Sequence, residues 1–180
     1  MLDRLRLGLL GLTLCACSSA GPYGYSRAYS ADDDEEDAVE NASEYDPVMA
    51  QREPDSWKKQ KITLFGVVTS RKEGTGGAAY LTLSMRTLAA RNLCDDFDEE
   101  TCRVTVSDHE HAIVHVLAKL NGEDHLGKLS VGAGSLLRIV GKLSDNVDPD
   151  DGMPVLEVNY YRHWPRDFYV TSADASHMRR

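Results

Sequence analysis

Long apolar runs are missing from this chain of 180 residues. None approaches the roughly 20 residues that a membrane-spanning helix needs. Aromatic residues make up only 7% of the chain, so base-stacking platforms of the single-strand-binding kind are sparse. There is no Gly-x-Ser-x-Gly elbow, no phosphate loop Gly-x-x-x-x-Gly-Lys-Ser/Thr and no His-Glu-x-x-His pair. The common routes to acyl transfer, nucleotide hydrolysis and zinc proteolysis therefore have no sequence support. Positive charge is also short: 20 Lys and Arg face 29 Asp and Glu, a net charge of -9. A general nucleic-acid binder displaces counterions with positive charge, so this balance predicts no nucleic-acid partner. No motif calls for a cofactor or a resident metal. The chain reads as non-enzymatic.

The negative charge is concentrated. Residues 17–56 hold the run Asp32-Asp33-Asp34-Glu35-Glu36-Asp37 and only two basic residues, Arg27 and Arg52. Such a segment repels itself and is poor in aliphatic residues, which predicts a disordered acidic linker. A flexible chain of that length spans about 35 Å by the square-root rule. Residues 57–170 are nearly neutral and of ordinary single-domain size. Residues 171–180 read as a flexible tail.

Residues 1–16 have the form of an export signal. Arg4 and Arg6 precede the short apolar stretch Leu7-Gly8-Leu9-Leu10-Gly11-Leu12-Thr13-Leu14. It ends in Leu14-Cys15-Ala16-Cys17-Ser18-Ser19, which resembles the lipobox of bacterial lipoproteins. The resemblance implies that the Cys17 thiol carries diacylglycerol, that residues 1–16 are removed, and that the new amino terminus is acylated. Several acyl chains on one residue anchor a protein stably to a membrane. In that family, Ser rather than Asp after the lipidated Cys implies the outer membrane, with the domain facing the periplasm. The expected partners are the membrane, through the lipid anchor, and an envelope protein or glycan.

The remaining cysteines are Cys94 and Cys102. An oxidising compartment favours a disulfide between them. Two Cys with no second pair make a poor zinc site.

Strand patterns dominate residues 57–170. Residues 61–70 are β-rich, Gly74, Gly76 and Gly77 mark a turn, and residues 79–86 alternate with Leu81, Leu83 and Met85 on one face. Residues 103–106 alternate again. Ser107-Asp108-His109-Glu110 is a capping-box pattern, and Ile113, Val116, Leu117 and Leu120 follow helical spacing. This predicts a helix over about 108–120, with the β-branched residues leaving a strand as the alternative. Residues 135–143 and 154–161 close the series as strands.

Three strands, a helix and two strands is the element order of the OB-fold, a small five-stranded barrel. Gly134-Ser135-Leu136-Leu137-Arg138-Ile139-Val140-Gly141-Lys142-Leu143 resembles that family's fourth strand, with Gly141 where the barrel bends, and residues 153–158 resemble its closing strand. The resemblance implies a mainly β fold and a ligand face over the second and third strands. Tyr80, Arg86, Arg91, Arg103 and Thr105 are candidates for that face. Arg162 and Trp164 belong to an aromatic segment that either caps the barrel or forms a docking patch. The implied role is non-catalytic binding or scaffolding, with a periplasmic glycan as one ligand class.

Two constellations invite metal chemistry. His109, His111 and His115 cluster, and His111 and His115 would share a helix face, the basis for an alternative reading as a metal-dependent enzyme. Asn146, Asp148 and Asp150 alternate as in a calcium loop, but Asp151 stands where that loop needs Gly. An acidic hairpin turn is the simpler account.

Overall fold

The computed structural model describes residues 31–74, 77–92 and 104–173, with the backbone alone at 89–92. In chain order the elements are α1 (Asp33–Val39), β1 (Ser43–Glu44), α2 (Pro47–Arg52), α3 (Pro54–Trp57), β2 (Ile62–Glu73), β3 (Ala79–Arg86), β4 (Leu88–Asn92), β5 (Val104–Val106), β6 (Ala112–Ala118), α4 (Gly122–Leu126), β7 (Leu136–Val147), β8 (Pro154–Trp164) and β9 (Val170–Thr171). The large sheet runs β1-β2-β3-β6-β8-β7, and β7 returns to pair with β2. Strands β2, β3, β6, β8 and β7 thus close a five-stranded barrel, antiparallel throughout except for the parallel pair β6–β8. This is the expected OB-type barrel. No helix among the described residues is long and apolar enough to cross a membrane.

Period-two alternation builds the interior. Leu81 and Leu83 on β3, Val114 and Val116 on β6, Leu137 and Ile139 on β7 and Leu156 on β8 are buried in one cluster. Burial of each such side chain contributes about 1.5–3 kcal/mol before chain entropy is counted. Gly141 allows β7 to bend. A Cβ there would lie 2.2 Å from the carbonyl oxygen of Glu157, and the β7–β8 register shifts at Val140/Gly141. Only a residue without a side chain permits that approach.

Residues 108–120 do not form the expected helix. Ala112–Ala118 is β6, the barrel's third strand. The fold's helix is α4, just after it. Residues 104–106 are not a barrel strand either. They form β5, in a separate sheet of order β4-β5-β9. That small sheet covers the outside of the barrel. Val104 and Val106 pack with Phe65, Leu136 and Trp164 in a second apolar cluster, in which the Phe65 and Trp164 rings lie 6.1 Å apart. Trp164 is buried within this second cluster.

The linker expected over 17–56 is folded from residue 32 onward. Asp32 caps α1 by accepting from the Glu35 amide at 2.8 Å. Asp46 caps α2 through the amides of Val48 and Met49, ahead of Pro47 at the first helical position. Tyr45, Ala50 and Trp57 belong to the barrel's own apolar cluster, with Tyr45 and Trp57 edge to face at 5.8 Å. The acid run is not merely solvated, because Glu35 is fully buried.

Candidate functional site

Alternation that sends Leu81, Leu83, Val114 and Val116 inward leaves Tyr80, Thr82 and His115 on the outer wall of β3 and β6. Thr82 and His115 are register partners. The loop joining β7 to β8 folds onto this wall. Its shape comes from local bonds: the amides of Asp150 and Asp151 donate to Asp148 Oδ1 at 2.8 and 3.3 Å, and the Met153 amide donates to Asp151 Oδ1 at 2.8 Å. Gly152 takes a positive φ of 72°, which closes the turn.

The second oxygens of both carboxylates then face the wall. Tyr80 Oη donates to Asp148 Oδ2 at 2.6 Å. The His115 ring lies with Nε2 2.9 Å from Asp151 Oδ2 and Nδ1 3.6 Å from Asp148 Oδ2. The Tyr80 ring stacks on it, with centroids 5.9 Å apart. His115 and Asp148 are buried, while the Asp151 side chain is 42% exposed. Burial, followed by the bond to Asp148, pushes the Tyr80 phenol well above its ordinary range. The Tyr80 hydroxyl holds Asp148 below the usual carboxylate value. The Met153 amide, then His115, does the same for Asp151.

A groove of about 700 Å³ opens elsewhere, between the β1–α2 segment and the walls of β2, β3 and β7. Tyr45, Val48 and Phe65 supply apolar lining, Glu44 and Asp46 acids, and Arg86 and His111 basic groups. His111 Nε2 lies 3.2 Å from Thr87 Oγ1. Arg86 is held by the carbonyls of Ser107 and Asp108.

Beside the groove, Glu35 on α1 bonds both Arg138 on β7 and Arg162 on β8. Those two arginines are themselves register partners. Arg138 lies over the Phe65 ring at 5.1 Å, and Arg162 over the Trp164 ring at 5.0 Å.

The expected ligand-face residues are therefore distributed rather than gathered. Tyr80 faces the β7–β8 loop, Arg86 borders the groove, Arg162 clasps α1, Trp164 is core and Thr105 is buried. Arg103, Cys17, Cys94 and Cys102 lie outside the described residues, and Arg91 is described by its backbone alone. The histidine trio does not converge. On a strand, His111 and His115 stand about 13 Å apart at roughly 3.3 Å per residue, too far to share an ion, and His109 is exposed. The metal-enzyme alternative built on that trio fails on this geometry. What sequence reasoning missed is that His115 meets Asp148 and Asp151. A His in an apolar strand and an acid-rich hairpin were both visible, but the pairing of β6 with β8 that joins them was not.

No family model matches the chain, and no curated protein matches it. Solved structures of similar fold include a Klebsiella pneumoniae protein provisionally described as a nucleic acid-binding lipoprotein. It is 19% identical with TM-score 0.35, over 74% of this chain and 98% of that one. The single-stranded DNA binding protein from Thermus aquaticus is 18% identical with TM-score 0.29, over 57% of this chain and 49% of that one. A provisionally described aspartyl-tRNA synthetase from Leishmania major is 12% identical with TM-score 0.40, over 70% of this chain. This chain spans only 21% of that protein's length. Likenesses this distant assign no ligand to the chain. They do correct one expectation. With neighbours described as nucleic acid-binding among them, the claim of no nucleic-acid partner, drawn from net acidity, sparse aromatics and the export signal, is withdrawn.

Proposed function

We propose that this chain is a lipid-anchored protein of the cell envelope whose OB-type barrel binds a partner without transforming it. The observation that carries the binding reading is the groove of about 700 Å³ beside the β1–α2 segment. Its lining combines apolar side chains with acids from the β1–α2 segment and basic groups from the barrel wall. Such a groove suits an extended chain that offers both apolar and charged groups, laid across the barrel wall. Support for the anchor is the Leu14-Cys15-Ala16-Cys17 pattern, with Ser18 favouring the outer membrane and a periplasmic domain.

A photo-crosslinking residue at Val48 or Thr87 tests the groove in whole cells. A crosslinked partner absent from the same probe at exposed Lys142 supports the reading. Sensitivity of that adduct to protease, glycosidase or nuclease assigns its class, single-stranded nucleic acid included. Equal labelling at Lys142 sinks the groove as the binding surface. The anchor has a separate test. Blocking the lipoprotein signal peptidase should accumulate precursor, and Cys17→Ser should release the protein from the membrane fraction. Unchanged processing and fractionation in Cys17→Ser would remove the anchor.

A further inference from the structure

We propose that His115, Asp148 and Asp151 form a binding site for a divalent first-row transition-metal ion, zinc being the first candidate. One ligand atom from each residue lies within 4.8 Å of the other two. The residues come from two elements that only the barrel brings together, β6 and the loop between β7 and β8.

The carboxylates are pre-aimed. On Asp148 and on Asp151, Oδ1 is occupied by backbone amides, which leaves Oδ2 turned to the imidazole. Groups that fix a ligand's orientation in this way commonly support metal sites. Tyr80 adds a further bond to Asp148 Oδ2, a position from which it can orient the ligand oxygen. An ion takes one ring nitrogen and leaves the other for a hydrogen bond. Thr82 Oγ1 lies 3.5 Å from Nδ1, the nitrogen that Asp148 Oδ2 also faces, while Asp151 Oδ2 faces Nε2.

Charge points the same way. Two carboxylates share one imidazole, and among the described residues neither Asp148 nor Asp151 pairs with a Lys or Arg. Asp148 is 5% exposed, so its charge is largely removed from water. A bound cation balances that deficit. Imidazole selects against magnesium and calcium, which take oxygen ligands, and suits zinc and its neighbours. Three protein ligands leave a fourth position for water, on the side where Asp151 is exposed. The ion would fasten the β7–β8 loop to the β3–β6 wall. The site shares no residue with the groove, so it stands or falls separately from the proposed function.

The test is zinc binding by the full chain in detergent, with thiols alkylated so that cysteines cannot contribute. The expected result is one zinc retained per chain, with affinity reduced at least tenfold in Asp151→Asn and abolished in His115→Gln. His111→Gln should bind like the parent. Cobalt in place of zinc should give visible bands of a nitrogen and oxygen set that shift in Asp151→Asn. Asp151 is exposed, so that variant keeps the test valid even where His115→Gln fails to fold. No zinc retained by the parent at micromolar concentration, or equal binding in parent and Asp151→Asn, would overturn the proposal.

Discussion

The Glu35 carboxylate and the Arg162 guanidinium meet at 2.7 Å across 127 residues of chain. The carboxylate is completely buried and also bonds Arg138. An acid in the most charged stretch of the sequence thus fixes α1 to the barrel wall. Removing one member of a buried ion pair costs about 3–5 kcal/mol, because a charge is left behind in a dry site. Glu35→Ala should lower stability by about that amount. Asp33→Ala, two residues away on the opposite face of α1 and exposed, should change it by less than about 0.5 kcal/mol. Urea unfolding of the two variants decides between a clasp and a solvated acid run.

Gly141 should tolerate no side chain. Gly141→Ala drives a Cβ into the Glu157 carbonyl and should cost about 2–3 kcal/mol, with the β7–β8 register disturbed. Gly122→Ala is the control. Nothing lies within 4 Å of its new Cβ, so the change should be neutral or slightly stabilising. Denaturant midpoints for the pair test whether the barrel bend depends on this glycine.

Acid should weaken the fold through three aspartates. Asp148 and Asp151 are held below the ordinary value of 3.8 by the bonds already described. Asp124 is pushed up by burial, but bonds from His163 and Tyr161 outweigh this and leave it lowered. Lowered carboxylates stabilise the fold above the unfolded value, and that stability is lost as pH falls from about 4 through the lower folded values. Tyr80→Phe removes the bond that depresses Asp148. Its thermal midpoint should fall less steeply below pH 4 than that of the parent, and an identical slope would detach Asp148 from the effect.

Cys94 and Cys102 should be joined. Asn92 pairs with Val104 in the β4–β5 ladder, and the two cysteines each lie two residues beyond that pair. The oxidised chain should gain the mass of two hydrogens on reduction. Reduction should lower stability by about 2–3 kcal/mol, the loop-entropy value for so short a ring.

Much of the barrel was legible because its strands obey period two. Residues 79–83 alternate, Leu137 and Ile139 keep the same spacing on β7 although Leu136 and Val140 are buried too, and Gly141 marks the bend as the resemblance implied. β6 was not legible, since both of its faces are covered. Val114, Val116 and Ala118 face the core, while His115 is buried under the β7–β8 loop, so alternation between apolar and polar is lost. The apolar positions 113, 116, 117 and 120 matched helical spacing by coincidence, next to a cap-like Ser107–Glu110 turn. The role of Glu35 had no local signal at all. Its partners are 103 and 127 residues away, and charge repulsion within 32–37 argued for solvent. The candidate metal site failed to show for the same reason: each half was visible, but the parallel β6–β8 pairing joins them.

The α1 clasp also has a mechanical meaning. Under the proposed anchor, any tension between membrane and barrel runs through the chain preceding Asp32 and reaches α1 first. Behind α1, β1 is joined to β2 through only two register positions, Ser43↔Ile62 and Glu44↔Thr63. Pulling should therefore peel α1 and β1 away before any barrel strand yields. Released and extended, the residues from Asp32 to Glu44 add about 40 Å of reach. Under that anchor, Glu35 would set two lengths for the connection, one short at rest and one long under load, with the barrel strands still paired.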